Sequence, residues 1–317
     1  MTETETILNV EGLKKHFPIR GGLFSKQVTA VHAVDGIDFF VEKGEIFGLV
    51  GESGCGKTTV LRLLLRLIEP TAGKAIYRDR NIFEYKKSEL RKFRRRVSMI
   101  FQDPYSSLDP RMTVADLVGE PLEIHGIARG VQKEKRVKEL LEMVGLEAYH
   151  IYRYPHEFSG GQKQRIGIAR ALAVNPELIF ADEPVSSLDI SIRAQILNLM
   201  KDLQKQFKLT FLYVSHDLRT VKHFCDRAAV MYLGQIAELA NVMELYNNPL
   251  HPYTKALISA IPVPDPEKKI QRIILRGGVP SPVNPPAGCR FHPRCPYGEE
   301  GCEKKEPKYI EAKSGHY

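Results

Sequence analysis

The stretch "IFGLVGESGCGKTTVLRLLL", Ile46–Leu65, decides how the whole chain is read. Its first five residues are continuously apolar, which predicts a buried strand over Ile46–Val50. From Lys57 onward, apolar residues recur at helical spacing and run on through "RLIEP", so the helix is predicted to stop before Pro70. Between strand and helix, "GESGCGKT" (Gly51–Thr58) fits G-x-x-x-x-G-K-[ST]. Glycines there let backbone N–H groups wrap phosphate oxygens, and the following helix turns its positive end toward them. In this pattern Lys57 reaches the β- and γ-phosphates and the Thr58 hydroxyl ligates Mg²⁺. A short pattern can match by chance, but a strand before it and a helix after it are the context it requires. The candidate phosphate-cradling residues are Gly51, Ser53, Gly54, Cys55, Gly56, Lys57, Thr58 and Thr59.

Working outward, "GIDFFVEKG" (Gly36–Gly44) predicts an outer strand and a turn at Lys43-Gly44. "RVSMIF" (Arg96–Phe101), "ELIFADEP" (Glu177–Pro184), "TFLYVSHD" (Thr210–Asp217) and "RAAVMYLGQIAEL" (Arg227–Leu239) are further strand-like apolar runs. Residues 103–155 are more helical and polar, with "VADLVGEPLEIHG" and "KEKRVKELLEMVGL" as amphipathic helices. Strands alternating with helices predict an α/β fold with a largely parallel sheet and a helical insertion. The composition changes near Asn247, and residues 262–296 are rich in proline, which predicts an irregular appendage. The expected division is a main domain over 1–245 and an extension over 246–317.

Of the 317 residues, 43% are apolar, enough for a core. The 46 basic and 38 acidic residues give a net charge of +8, which suits a nucleotide, a nucleic acid or an anionic membrane surface without choosing among them. The start, "MTETETILNV", lacks the basic-then-apolar order of a signal peptide, and no apolar run approaches the ~18–20 residues needed to span a bilayer. The chain is therefore expected in the cytoplasm, where clustered cysteines more often hold metal than form disulfides.

Two more stretches carry chemistry. "LIFADE" (Leu178–Glu183) is an apolar strand ending in two carboxylates. Asp182 can hold Mg²⁺ through water, and Glu183 can polarise the attacking water as general base. Alone, two such acids more often mark a helix N-terminus; beside a phosphate loop the catalytic reading is preferred. "FSGGQ" (Phe158–Gln162) puts a Ser and two glycines before a helix, which is either a second anion-binding helix N-terminus or a plain Ser N-cap.

Taken together, the phosphate loop, Gln102, "SGGQ", "LIFADE", "SSLD" (Ser186–Asp189) and His216 resemble, in order and spacing, an ATP-binding cassette (ABC) ATPase over essentially the whole chain. The resemblance implies a P-loop cassette with a mostly parallel core sheet, an antiparallel β subdomain and an inserted helical subdomain at about 103–155. It also implies a head-to-tail pair of cassettes. ATP is then sandwiched between the phosphate loop of one and Ser159, Gly160, Gly161 and Gln162 of the other. Gln102 would sense Mg²⁺ and the attacking water, His216 would contact the γ-phosphate, Asp189 would touch the opposite subunit, and Phe17 would stack on adenine. Thr58, Gln102 and Asp182 would hold Mg²⁺. With Glu183 and His216 both present, the site is expected to hydrolyse ATP.

"FQDPYSSLDPRMTV" (Phe101–Val114), "HPYTKAL" (His251–Leu257) and "GGVPSPVNPPAGCRFHPRCP" (Gly277–Pro296) resemble the oligopeptide/dipeptide importer group, and the first resembles its F-type ATPase. Phe158, Ser187 and Asp109 depart from the usual Leu, Ala and Asn, and none removes a reacting group. The implied partners are a D-type ATPase, two membrane permeases and an extracellular solute-binding protein, with no nucleic acid. The implied place is the cytoplasmic face of the cell membrane, and the cargo is a peptide, an oligosaccharide or nickel. Soluble ABC ATPases of translation or DNA repair resemble tandem cassettes or carry long coiled-coil insertions, absent here. An ABC-like subunit of a soluble assembly, as in phosphonate breakdown, is the alternative, and the proline-rich tail argues for the importer.

Cys289, Cys295 and Cys302 are spaced C-x₅-C-x₆-C, and His292 completes a possible Cys₃His zinc set. The importer resemblance implies instead a four-iron, four-sulfur cluster, which normally takes four thiolates. In the family the fourth cysteine follows a Gly-His-aromatic stretch, and the sequence ends on one, "SGHY" (Ser314–Tyr317). A further ligand beyond it, a different fourth ligand, or reduced thiols all stay open. Cys55 and Cys225 are read as structural.

Overall fold

The computed structural model describes residues 5–21, 26–262 and 272–317. In chain order the strands are β1 (Thr6–Gly21), β2 (Lys26–Glu42), β3 (Ile46–Val50), β4 (Ala72–Tyr77), β5 (Arg80–Asn81), β6 (Val97–Ile100), β7 (Leu178–Asp182), β8 (Thr210–Ser215), β9 (Arg227–Tyr232) and β10 (Gln235–Asn241). The helices are α1 (Lys57–Leu64), α2 (Lys87–Arg96), α3 (Pro104–Ser107), α4 (Val114–Ile124), α5 (Gly130–Met143), α6 (Gly160–Leu172), α7 (Ile190–Phe207), α8 (Leu218–Phe224), α9 (Val242–Asn247) and α10 (Pro252–Ser259). The chain divides into two compact units, Met1–Glu84 with Val214–Tyr317, and Tyr85–Tyr213.

In the first unit β3 is buried at all five positions, as a strand with packed layers on both faces must be. It pairs in parallel with β9, Phe47 opposite Arg227 through Val50 opposite Val230. β9 turns back into β10 through Leu233 and Gly234, whose φ values of 43° and 82° suit a two-residue hairpin. An antiparallel sheet in the order β2-β1-β4-β5 supplies the second layer, with Leu8 opposite Val41, Val10 opposite Phe39 and Leu13 opposite Ile37. These side chains are essentially closed to solvent. Each contributes roughly 1.5–3 kcal/mol of burial.

α1 ends earlier than its apolar spacing predicts, at Leu64 rather than before Pro70. Arg66 takes a left-handed φ of 52°, which a helix cannot contain. Its guanidinium secures the redirected chain by donating to Glu69 at 3.1 Å and to the carbonyl of Ile82 at 3.0 Å.

The C-terminal extension belongs to this same unit. Glu238, buried on β10, accepts the N–H groups of Leu250 and His251 at 2.7 and 2.9 Å. It also meets His316 Nε2 at 2.6 Å. A buried carboxylate is tolerable only with such partners. Tyr317 exchanges both backbone hydrogen bonds with Leu239, which draws the "GHY" stretch against β10. Residues 263–271 of the proline-rich stretch lie outside the described residues; from 272 to 291 the chain has no helix or strand, as its composition predicts.

The second unit carries β6 and β7 as a parallel pair, Val97 opposite Leu178 through Ile100 opposite Ala181, in the order β8-β7-β6. Both predicted amphipathic helices form. α4 buries Val114, Leu117, Val118 and Leu122, and α5 buries Val137, Leu140 and Leu141, each on one face at helical spacing. Among the described residues no helix is long and apolar enough to cross a membrane.

Candidate ATP site

In the first unit the phosphate loop leaves β3 at Gly51 and enters α1 at Lys57. Lys57 is 5% exposed. Its ammonium turns back on the loop, donating to the carbonyls of Gly51 at 2.8 Å and Glu52 at 3.0 Å. The loop thus holds its cation at the centre of the curve that would receive phosphate. Thr58 and Thr59 stand in the first turn of α1, where N–H groups lack helical partners. Cys55 is buried, with its sulfur 3.8 Å from the Lys57 ammonium. Burial pushes its thiol up, so it packs as a neutral side chain.

Phe17 stands on β1 with 38% of its surface exposed, and Lys15 holds its ammonium 5.0 Å from the ring centre. A ring accessible on a rigid strand is what stacking on a base requires. His216 is exposed immediately after β8.

In the second unit Asp182 closes the fully buried β7 and is itself 5% exposed. Glu183 follows with a φ of 44°. Left-handed backbone costs a non-glycine residue on the order of 1–3 kcal/mol and persists only where its surroundings enforce it. Here the Ser186 N–H and hydroxyl both donate to the Glu183 carbonyl, at 3.1 and 3.0 Å. The turn aims the carboxylate at Gln102, whose Nε2 donates to Glu183 Oε2 at 3.2 Å. The sequence reading singled out both residues, and the fold brings them together across 81 positions.

With its nitrogen on Glu183, Gln102 keeps its carbonyl oxygen for a cation. Within this unit the Asp182 carboxylate and the Gln102 amide carbonyl are oxygen donors of the kind that Mg²⁺ favours.

Ser159 caps α6. Its Oγ accepts from Gln162 N at 3.4 Å, and Gln162 Oε1 accepts from Ser159 N at 3.0 Å. This reciprocal box leaves Gly160 and Gly161 as the first helical residues. The plain N-cap and the anion-binding end are therefore compatible: the cap fixes the turn whose remaining N–H groups point outward. Asp189 sits at the N-cap of α7 without a capping hydrogen bond of its own.

The three tail cysteines lie in one short segment, and the Cys289 N–H donates to the Cys302 carbonyl at 2.8 Å. All three thiols are partly exposed. Burial pushes the Cys289 thiol up, reinforced by its two neighbouring cysteines. His292 turns Nδ1 onto the Cys289 carbonyl at 2.8 Å. Tetrahedral zinc, with bonds of about 2.3 Å, would need thiolates about 3.8 Å apart. Among the described residues no three of these four side chains bring their ligand atoms within 4.8 Å. The described geometry is thus not closed around a single zinc ion.

His16, His32 and Asp35 do converge within that distance. Arg290 and Lys14 also sit on Asp35, however, and this positive charge repels a divalent ion. Burial pushes the Asp35 carboxyl up, but hydrogen bonds from His16 and His32 and the Arg290 guanidinium outweigh it and hold the group at about 2.

Sequence reasoning passed over Glu52, Tyr253, Arg290 and Arg294, all of which contact the loop or its support. Glu52 is a free position of the motif, and Arg290 and Arg294 stand between Cys289 and Cys295 without belonging to any ligand pattern. Two arginines within five residues, in a tail with few acids near them, were the available signal.

The family described as "ABC transporter" matches residues 34–186, and "Oligopeptide/dipeptide transporter, C-terminal region" matches residues 237–302. The chain is 51% identical over 316 residues to the oligopeptide transport ATP-binding protein AppF of Bacillus subtilis, covering 99% of this chain and 96% of that protein. Among solved structures it is similar to the ATP-binding cassette MJ0796 in a dimeric post-hydrolysis state bound to ADP and Pi. The TM-score is 0.66 at 29% identity, over 74% of this chain and 98% of that one. It is also similar to cbiO1 of Clostridium perfringens, part of the ABC transporter complex cbiONQ. There the TM-score is 0.66 at 27% identity, over 77% of this chain and 92% of that one.

Proposed function

The chain belongs to the ABC transporter ATP-binding proteins, in the branch with an oligopeptide/dipeptide transporter C-terminal region, and from that premise we propose that it hydrolyses ATP to power a peptide importer. The observation that carries the hydrolytic half is Glu183, aimed by a strained turn and hydrogen-bonded by Gln102 at 3.2 Å.

In this reading Lys57 exchanges the loop carbonyls for the β- and γ-phosphates, and the loop N–H groups of Gly51 to Thr59 neutralise their charge. Phe17 stacks on adenine. Glu183 accepts the proton of the attacking water while Gln102 fixes its carboxylate, and His216 holds the γ-phosphate. Thr58, Asp182 and Gln102 would hold Mg²⁺, which supplies charge neutralisation at the phosphates when bound. Ser159, Gly160, Gly161 and Gln162 serve nucleotide held mainly by a second cassette, which Asp189 contacts. That second cassette is a D-type ATPase, and the pair works with two membrane permeases at the cytoplasmic face, fed by a solute-binding protein. Purified from its own host, this chain should come with two membrane subunits, in a complex whose ATPase activity rises with peptide-loaded binding protein. Recovery with soluble partners alone would sink the importer reading.

The tail is proposed to carry an iron–sulfur cluster on Cys289, Cys295 and Cys302, with a fourth ligand from elsewhere. Such a cluster takes no part in phosphoryl transfer; it would staple an irregular segment that has little core of its own. Anaerobically purified protein should then be coloured and contain iron and acid-labile sulfide. Colourless protein with stoichiometric zinc would reject it.

A further inference from the structure

One residue of the phosphate loop is held by the C-terminal extension from two sides. The N–H of Glu52 donates to the Tyr253 hydroxyl at 3.1 Å. Its carboxylate receives both terminal nitrogens of Arg294, at 2.9 and 3.2 Å. Its carbonyl accepts from Lys57, so the same residue touches the phosphate-binding cation. Tyr253 is fully buried and Arg294 is 8% exposed. Tyr232, Tyr253 and Phe291 pack ring against ring with centroids 4.7–5.5 Å apart, and the Arg294 guanidinium lies 5.8 Å from the Tyr232 ring. Such a fork, with its arginine buried among aromatics and its carboxylate 30% exposed, fixes the direction of the ion pair as well as its charge.

A second foot of the same segment stands four residues earlier. Arg290 donates to Asp35 and to the Leu233 carbonyl. The Gly234 N–H beside it donates to the Cys55 carbonyl at 2.9 Å, at the other end of the phosphate loop. The extension thus grips the loop near its entry directly and near its exit through the β9–β10 turn.

Phosphate affinity depends on several loop N–H groups pointing at one centre, and misaiming them costs binding before it costs chemistry. We propose that the C-terminal extension is a brace for the phosphate loop, with Arg294 and Tyr253 as positioning residues that set nucleotide affinity through Glu52. This rests on reading the loop as the ATP site. A brace acts equally on bound substrate and transition state, so its loss raises KM and leaves kcat nearly unchanged.

The test is Kd for a fluorescent ATP analogue on the full chain, and KM and kcat in the assembled complex with the partner site silenced. Losing a charged, two-pronged hydrogen-bond pair should weaken binding roughly tenfold in Arg294→Ala and in Glu52→Gln. The double variant should be no worse than either single one, because both remove one link. Arg294→Lys, which keeps the charge but loses the fork, should fall between. Tyr253→Phe keeps the ring and removes only the hydroxyl, so it reports even if Arg294→Ala fails to fold, and should weaken binding about threefold. Unchanged Kd in Tyr253→Phe and Arg294→Lys, or effects of Arg294→Ala and Glu52→Gln that simply add, overturn the brace. Lys57→Ala separates the two readings. Loss of binding there without any effect of the brace variants refutes the brace alone, whereas unchanged binding removes the site and the brace with it.

Discussion

Glu183→Gln should abolish ATP turnover in the assembled complex, by roughly 10²–10⁴-fold, while leaving ATP binding intact. The substitution keeps size and shape, and the new amide can still meet Gln102, now 3.2 Å away. What it loses is the lone pair that takes the proton from water. The backbone makes this position hard to replace by a neighbour. A φ of 44° at Glu183, held by two donors from Ser186, points this one carboxylate away from the strand axis. Asp182, one residue earlier, is buried at the strand end and cannot assume the task. Gln102→Ala should fall short of the Glu183 loss, since it frees the carboxylate without removing it. The measurement is steady-state ATPase with the partner's own base silenced. Turnover unchanged in Glu183→Gln would contradict the general-base assignment outright.

The parts of this molecule legible in its sequence are those where one local pattern carries the whole instruction. β3, the phosphate loop and the start of α1 are contiguous, and continuous burial followed by glycine and helical spacing spells each of them. The capping box at Ser159 and Gln162 is equally local. β1 and the first half of β2 were not legible, and the reason is physical. Their pairing shifts register at several points between Thr6 and Arg20, which breaks the period-two alternation that marks a strand. The end of α1 was misread because apolar residues continue past Leu64 on a chain that Arg66 has already turned. The Glu52–Arg294 fork could not be seen at all. Its partners are 242 positions apart, and nothing near either one names the other. Cysteine spacing drew attention to the right segment for a different reason: the residues between the cysteines reach the nucleotide loop.

Gly56→Ala should be the most damaging single-methyl change in the loop, and Gly54→Ala its instructive control. Both glycines have left-handed φ, 113° and 80° respectively. Alanine at either position therefore carries a backbone cost of about 1–2 kcal/mol. Space separates them. A Cβ on Gly54 meets nothing within 4 Å, whereas one on Gly56 lands 2.1 Å from the Ala33 carbonyl oxygen and 2.8 Å from Met231 Cε. The methionine end can swing aside. The Ala33 carbonyl cannot, because β2 is fixed around it: the His32 N–H is bonded to Pro282 and the Asp35 N–H to Gly234. The loop must shift instead, and it carries Lys57 with it. Gly54→Ala should weaken ATP binding by about tenfold or less, the backbone cost alone. Gly56→Ala should bind no measurable ATP at concentrations that saturate the wild type, and should also melt lower than Gly54→Ala. Titration with a fluorescent ATP analogue and thermal melting of the two full-length variants give the comparison. Equal losses in both would mean that φ alone decides, and that the close approach of β2 to the loop has no part in holding the phosphate site.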